Sequence, residues 1–142
     1  MPRALGIDYG AKKIGIALSD ESKKLAFPKT VHPNSWEYFS NFLRNFIVKE
    51  DVDEIVVGLP TMLDGGDSDL TPEAKEFAEK IKNLTRMPVY FENEAFTSSA
   101  VENQGAAPHG KSDASAAALI LQSFLDRRNS SQKEEKPFTI KL

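Results

Sequence analysis

Apolar residues at every second position in the first third of the chain predict half-buried β-strands. Two strands are predicted at residues 3–9 and 13–19, joined by a tight connection at 10–12. A third short strand is predicted around 25–31, and Pro28 within it favours an edge position because proline cannot donate to a neighbouring strand. The chain therefore begins with a predicted three-stranded meander.

Helical spacing of apolar residues follows the meander. A helix is predicted over 35–50, and Asn34 with Glu37 matches a capping box at its start. A second helix is predicted to open at Thr71-Pro72, with threonine as the N-cap and proline at the first helical position. The predicted buried stripes of these two helices are Phe39, Phe42, Leu43 and Phe46, and Ala74, Phe77, Ala78 and Ile81.

The second half of the chain alternates between strands and helices. The unbroken apolar run at 54–60 predicts a central strand covered on both faces, and a further strand is predicted at 88–92. Ser99 and Glu102 predict a short capped helix. The last predicted helix covers 112–126, with a buried stripe of Ala117, Ile120, Leu121 and Phe124.

The predicted order β-β-β-α-β-α-β-α-α indicates an α/β fold with a mixed central sheet and helices on both faces. One domain is expected, since 142 residues make two unfavourable. From Arg127 the chain is polar and is predicted to be loose as far as 138–142. We therefore predict a domain at 1–128 and a polar C-terminal tail at 129–142.

Composition excludes several kinds of site. The chain has no cysteine, which rules out disulfides, a thiolate nucleophile and cysteine-ligated metals. No apolar run is long enough to span a bilayer and no secretory signal pattern occurs, so a cytoplasmic protein without membrane contact is expected.

Residues 51–110 carry 4 basic and 12 acidic side chains, whereas both ends of the chain are basic on balance. The end clusters, including Lys23, Arg127 and Arg128, could form basic patches or ordinary solvated surface.

Three carboxylates fall where a buried or sheet-edge position is expected. Asp8 lies among the core residues of the first strand, and Glu94 follows the strand at 88–92. Asp113 shares a helix face with Ala117, which is expected to face the sheet. Mg²⁺ or Mn²⁺ would satisfy such acids, and two ions about 4 Å apart hold a phosphodiester for attack by water. The sequence therefore predicts Asp8, Glu94 and Asp113 as metal ligands and catalytic residues.

Each of these acids also has a structural alternative. Asp8 could hydrogen-bond its own backbone near Gly10, and Asp113 could serve only the helix dipole. Glu92 could be the outward-facing acid of its strand, which leaves the signal at Glu94 weak by itself.

Four segments in order resemble the YqgF/RuvX family of Holliday-junction-resolvase-like proteins. They are "LGIDYGAKKIGIALSD", "IVVGLPTMLDGG", "ENEAFTSSA" and "KSDASAAALILQSFLD", and the resemblance covers about residues 4 to 126. It implies a ribonuclease H-like fold and a metal-dependent nuclease whose acids are Asp8, Glu94 and Asp113. Members are associated with trimming the 5′ end of pre-16S ribosomal RNA and are also described as Holliday-junction resolvases.

The chain departs from the family pattern at one motif. The usual Asp-Glu-Arg is here Asn93-Glu94-Ala95, so a second acid and an arginine that could contact phosphate are absent. This departure puts activity in question more than fold. The predicted substrate contacts are Lys12, Lys13, Thr97, Ser98 and Lys111.

Other functions stay open at this stage. A catalytically weak nucleic-acid-binding protein of the same fold is one alternative. An ATP-binding protein like actin or the sugar kinases is another, because "GIDYG" followed by a hairpin resembles their phosphate loop. The expected partner is pre-rRNA or branched DNA, and the expected state is a monomer or a weak homodimer.

Overall fold

A computed structural model of the chain describes residues 1–59, 71–93 and 113–139. Five strands and three helices lie within these ranges. The strands are β1 (Arg3–Tyr9), β2 (Lys13–Ser19), β3 (Ala26–Pro33), β4 (Val52–Leu59) and β5 (Val89–Asn93); the helices are α1 (Trp36–Lys49), α2 (Thr71–Thr85) and α3 (Asp113–Thr139).

The strands form one mixed sheet in the order β3-β2-β1-β4-β5. The first three strands pair antiparallel as a meander, whereas β1, β4 and β5 run parallel. Strand β3 lies at one edge, as Pro28 predicted, and its register with β2 shifts between Ile16 and Ala17 beside that proline. The predicted mixed sheet is therefore confirmed.

Helices cover both faces of the sheet, as predicted. Leu5 and Ile7 of β1 pack with α1 and α2, in a core that includes Phe39 and Ile81. The alternate residues of β1 face α3, and Ala4 packs there. This second core also holds Val56, Ala117, Ile120, Leu121 and Leu125. Strand β4 contributes to both cores and is covered on both faces, as its apolar run predicted.

Two predictions about helix ends are wrong. The N-cap of α1 is Ser35, whose side chain makes no capping hydrogen bond, and the amide of Asn34 instead donates to the Gly10 carbonyl at 2.7 Å. Helix α3 does not end at Asp126 but continues to Thr139, so the chain is not loose from Arg127. The predicted short helix around Ser99 lies outside the described residues, and the domain boundary at 128/129 stays a prediction.

None of the helices in the described part of the chain is long and apolar enough to cross a membrane.

Candidate nuclease site

The parallel strands β1, β4 and β5 end side by side, and we call this region the carboxyl end of the sheet. Asp8 pairs with Gly58, and Gly58 pairs with Glu92, so the three residues form one row across the strands. Asp8 is half-buried and belongs to the face of β1 that packs against α3. Ligands of parallel sheets bind at the carboxyl ends of the strands, which makes this row the candidate site.

Helix α3 approaches β1 closely next to Asp8. A Cβ atom on Gly6 would lie 2.8 Å from the Leu121 Cβ and 3.0 Å from the Ala117 carbonyl oxygen. Contacts this short would force the helix away, so glycine is needed at position 6. The close approach places α3 directly over the strand that carries Asp8.

The direction of α3 brings its first turn toward the carboxyl end of the sheet. Arg128, in the second half of α3, binds Glu54 near the start of β4, whereas the earlier residues Ala117 and Leu121 meet Gly6, closer to the carboxyl end of β1. Asp113 is the first residue of α3, one turn before Ala117. The backbone of Asp113 therefore lies on the Asp8 side of the Gly6 contact, while its side chain is outside what the structure describes.

The turn between β1 and β2 presents two lysines at the same end. The Gly10 N–H donates to the Lys13 carbonyl at 2.9 Å, and a Cβ on Gly10 would lie 2.6 Å from that oxygen. Asn34 braces the turn, since its backbone N–H donates to the Lys12 carbonyl at 2.9 Å. Lys12 and Lys13 are both exposed, and this braced turn follows directly on the strand that carries Asp8.

Glu92 is a buried acid, so its interpretation as the outward-facing acid of its strand is wrong. It faces inward rather than outward, and its carboxylate accepts hydrogen bonds from the Arg127 guanidinium on both oxygens and from the Ser123 hydroxyl at 2.8 Å. The hydrogen bond to Glu92 raises the pKa of Arg127 above its ordinary value. Glu92 lies in the same row as Asp8, but its carboxylate is already bound by Ser123 and Arg127 of α3. We therefore infer that Glu92 holds α3 against β5.

A second ionic cluster lies at the amino ends of the strands. Both Glu54 oxygens accept from Arg128, at 2.9 and 2.7 Å, and Lys23 bridges Glu54 and Asp53 at 2.7 and 2.8 Å. Lys23, Arg127 and Arg128 are thus engaged by carboxylates of the sheet. The structure therefore favours the structural interpretation of these three cations over a basic patch for nucleic acid. The missed signal was the presence of acids inside the apolar strands, which require cationic partners.

The remaining predicted site residues are not described by the structure. Glu94 follows Asn93, the last residue of β5, and lies outside the described residues with Thr97, Ser98 and Lys111. Within the ranges 1–59, 71–93 and 113–139, no three acidic, histidine or cysteine side chains cluster as a metal site would. Of the three predicted ligands only the Asp8 side chain is described, so the metal set stays a prediction.

The fold matches solved structures of Holliday junction resolvases. A Thermus thermophilus RuvC in complex with Holliday junction substrate aligns with a TM-score of 0.59 and 13% identity, over 92% of this chain and 98% of that one. A Fowlpox virus resolvase in complex with Holliday junction DNA aligns with a TM-score of 0.54 and 12% identity, over 88% and 97% of the two chains. The chain therefore has the ribonuclease H-like fold that its sequence motifs implied.

Relatives in sequence support the same assignment. A candidate pre-16S rRNA nuclease of Nitratidesulfovibrio vulgaris is 37% identical over 130 residues, which cover 86% of this chain and 92% of the relative. A protein of the same name from Rickettsia typhi is 34% identical and aligns over 86% and 83%. The model of the RuvX family, described as Holliday junction resolvase, matches residues 2–127. The chain belongs to the RuvX family.

Proposed function

We propose that the chain is a nuclease that hydrolyses phosphodiester bonds with a divalent metal ion. The observation that carries the proposal is the placement of Asp8. It is the last but one residue of β1, at the carboxyl end of the sheet, and the helix that packs on β1 begins with a second acid, Asp113. Glu94, which follows β5 directly in the chain, is the proposed third ligand.

The donor set fits Mg²⁺ or Mn²⁺. The proposed ligands are all carboxylates, the chain has no cysteine, and hard oxygen donors of this kind favour these ions over zinc. When bound, such ions lower the pKa of water and neutralise charge on a phosphate. Asp8 is half-buried, so part of the residue is accessible to water. Lys12 and Lys13 would contact the phosphate backbone of the bound nucleic acid.

We propose the 5′ end of pre-16S ribosomal RNA as the substrate. The names of the curated relatives support this choice, since they match most of the chain at about 35% identity. Cleavage of a four-way DNA junction is a second candidate, supported by the family description and by the resolvase structures. A resolvase makes two symmetric cuts and needs two active sites in a dimer, whereas trimming of a 5′ end does not.

A cleavage assay tests the proposal. End-labelled RNA carrying the 5′ leader of pre-16S rRNA, and a four-way DNA junction, are incubated with Mg²⁺, with Mn²⁺ and with EDTA. We expect metal-dependent cleavage of the RNA. Asp8→Asn should lower the rate by more than the roughly 10–100-fold known for outer-shell residues of metal sites. Sedimentation of the chain in the same buffer separates a monomer from a dimer.

The matched control is Asp53→Asn. Asp53 is exposed and lies near the start of β4, at the other end of the sheet, so its loss should leave cleavage unchanged. Binding of RNA without cleavage in either metal would instead favour the binding protein of the same fold. Cleavage that survives Asp8→Asn would overturn the proposed role of Asp8.

A further inference from the structure

A second concave site lies on the face of the sheet opposite Asp8. Tyr9 follows Asp8 in β1 and its side chain therefore faces α1 and α2. It lines a cavity of about 210 Å³ together with residues of the β3–α1 connection and the first turns of α2. Since α2 follows β4 in the chain, this cavity also opens at the carboxyl end of the sheet, as Asp8 does.

Aromatic rings form one wall of the cavity. Tyr9 lies 4.8 Å from the buried Phe77, and Trp36 meets the same ring edge-on at 5.9 Å, both distances between ring centroids. The buried Phe77 thus packs against both rings, while Tyr9 and Trp36 themselves are only half-buried. Fixed, partly exposed aromatic rings are the surfaces on which unpaired nucleobases stack.

Polar side chains of α2 complete the lining of the cavity. Glu73 and Glu76 are exposed on α2 and line the cavity, and Lys80 lies over the Trp36 ring with its ammonium 5.5 Å from the centroid. Carboxylates accept hydrogen bonds from the exocyclic amino groups of cytosine, adenine and guanine. Uracil and thymine carry no exocyclic amino group, and their single N3–H donor lies between two carbonyl oxygens that a carboxylate repels, so this wall disfavours them.

The cavity is physically joined to the lysine turn beside Asp8. Asn34 lines the cavity, and it also donates to the carbonyls of Gly10 and Lys12 in the turn between β1 and β2. A strand whose phosphates contact Lys12 can therefore place a neighbouring base in the cavity. Pockets for drug-sized ligands hold roughly 300–1,000 Å³, so a cavity of 210 Å³ suits a single base.

We propose that this cavity binds one unpaired, amino-bearing nucleobase of the nucleic-acid substrate. The proposal rests on the proposed function, since it deepens the assignment of a nucleic-acid substrate. The base stacks on Tyr9 and takes the place of Lys80 over the Trp36 ring, its amino group donates to Glu73 or Glu76, and the displaced Lys80 ammonium contacts the adjoining phosphate. The cavity therefore selects for adenine, cytosine or guanine over uracil at one unpaired position near the bond that is cut.

Fluorescence of Trp36 tests the proposal, because it is the only tryptophan in the chain. Hexamers of adenylate, cytidylate and uridylate are titrated into the full-length protein in EDTA, where no cleavage can occur. We expect A6 and C6 to quench the emission and to bind about tenfold more tightly than U6, which is within the range known for hydrogen bonds that distinguish one base edge from another.

The double variant Glu73→Gln/Glu76→Gln should reduce the preference over U6 to below about threefold. The matched control is Glu79→Gln, an exposed acid of α2 that does not line the cavity and should leave the preference unchanged. All three positions are exposed, so these variants are expected to fold. Absence of quenching, equal binding of U6, or a preference that survives the double variant would overturn the base site.

The outcome separates this site from the proposed function. If the protein prefers A6 and C6 but does not cleave RNA, the result supports the base site and contradicts the proposed nuclease activity. If the protein cleaves RNA but its Trp36 emission does not change with any of the three hexamers, the result supports the nuclease activity and contradicts the base site.

Discussion

At the scale of single residues, Glu54 shows why an acid can lie inside this sheet. Burial raises the pKa of Glu54, but hydrogen bonds from Arg128 and Lys23 outweigh it and hold that pKa below its ordinary value of 4.5. A lowered pKa means that the folded state favours the ionised form. The resulting stabilisation is therefore complete at neutral pH and is lost as the pH falls through the pKa of the folded state.

We predict that Glu54→Gln lowers the free energy of unfolding at pH 7 by a few kcal/mol. The upper bound is the roughly 3–5 kcal/mol of a fully buried pair, because Arg128 and Lys23 are about a quarter exposed. The difference between wild type and variant should shrink as the pH falls below about 4.5, where Glu54 of the unfolded chain begins to bind a proton, and it should vanish below the lowered pKa of the folded state. Urea unfolding at a series of pH values measures both effects.

The matched control at this scale is Asp53→Asn. Asp53 binds the same Lys23 but is 48% exposed, and an exposed ion pair contributes about 0–1 kcal/mol. If Asp53→Asn lowers the free energy of unfolding as much as Glu54→Gln does, burial does not account for the stabilising effect of the Glu54 cluster.

At the scale of elements, the contact between β1 and α3 decides where the first turn of α3 lies. We predict that Gly6→Ala destabilises the protein by about 1–3 kcal/mol, because the new methyl group would meet Leu121 and the Ala117 carbonyl at 3.0 Å or less. The shift of α3 would also displace Asp113 from Asp8. Cleavage should therefore fall even at a temperature where circular dichroism shows the variant fully folded, and full activity in a destabilised variant would contradict this coupling.

The elements themselves were largely predictable because their signals are local. The apolar spacing in α2 and the run in β4 depend only on neighbours in sequence, and both elements lie where the pattern predicts them. The cap of α1 was not predictable, since Asn34 forms a hydrogen bond with Gly10, 24 residues away, instead of capping its own helix. A local capping pattern cannot reveal such a tertiary contact.

The candidate site was predictable only in part for the same reason. Asp8 and the start of α3 could be placed from their strand and helix patterns. The pair of Glu92 and Arg127 joins residues 35 positions apart, and it accounts for both a buried acid and a helix that continues beyond Asp126. Charge counts along the sequence assign Arg127 to a basic cluster because they carry no information about which acid it meets in the fold.

At the scale of the whole molecule, metal binding and folding should be coupled through Asp8. Like charges brought together at the carboxyl end of the sheet would disfavour the metal-free protein, and a cation would relieve that repulsion. We predict that Mg²⁺ or Mn²⁺ raises the Tm of the wild type, because a ligand that binds only the folded state stabilises it by mass action. Asp8→Asn should leave the metal-free Tm unchanged or higher and should largely abolish the increase. Calorimetry with EDTA or metal measures both, with Asp53→Asn as the control that keeps the wild-type increase. A Tm of Asp8→Asn well below that of the wild type in EDTA would instead mean that Asp8 stabilises the fold.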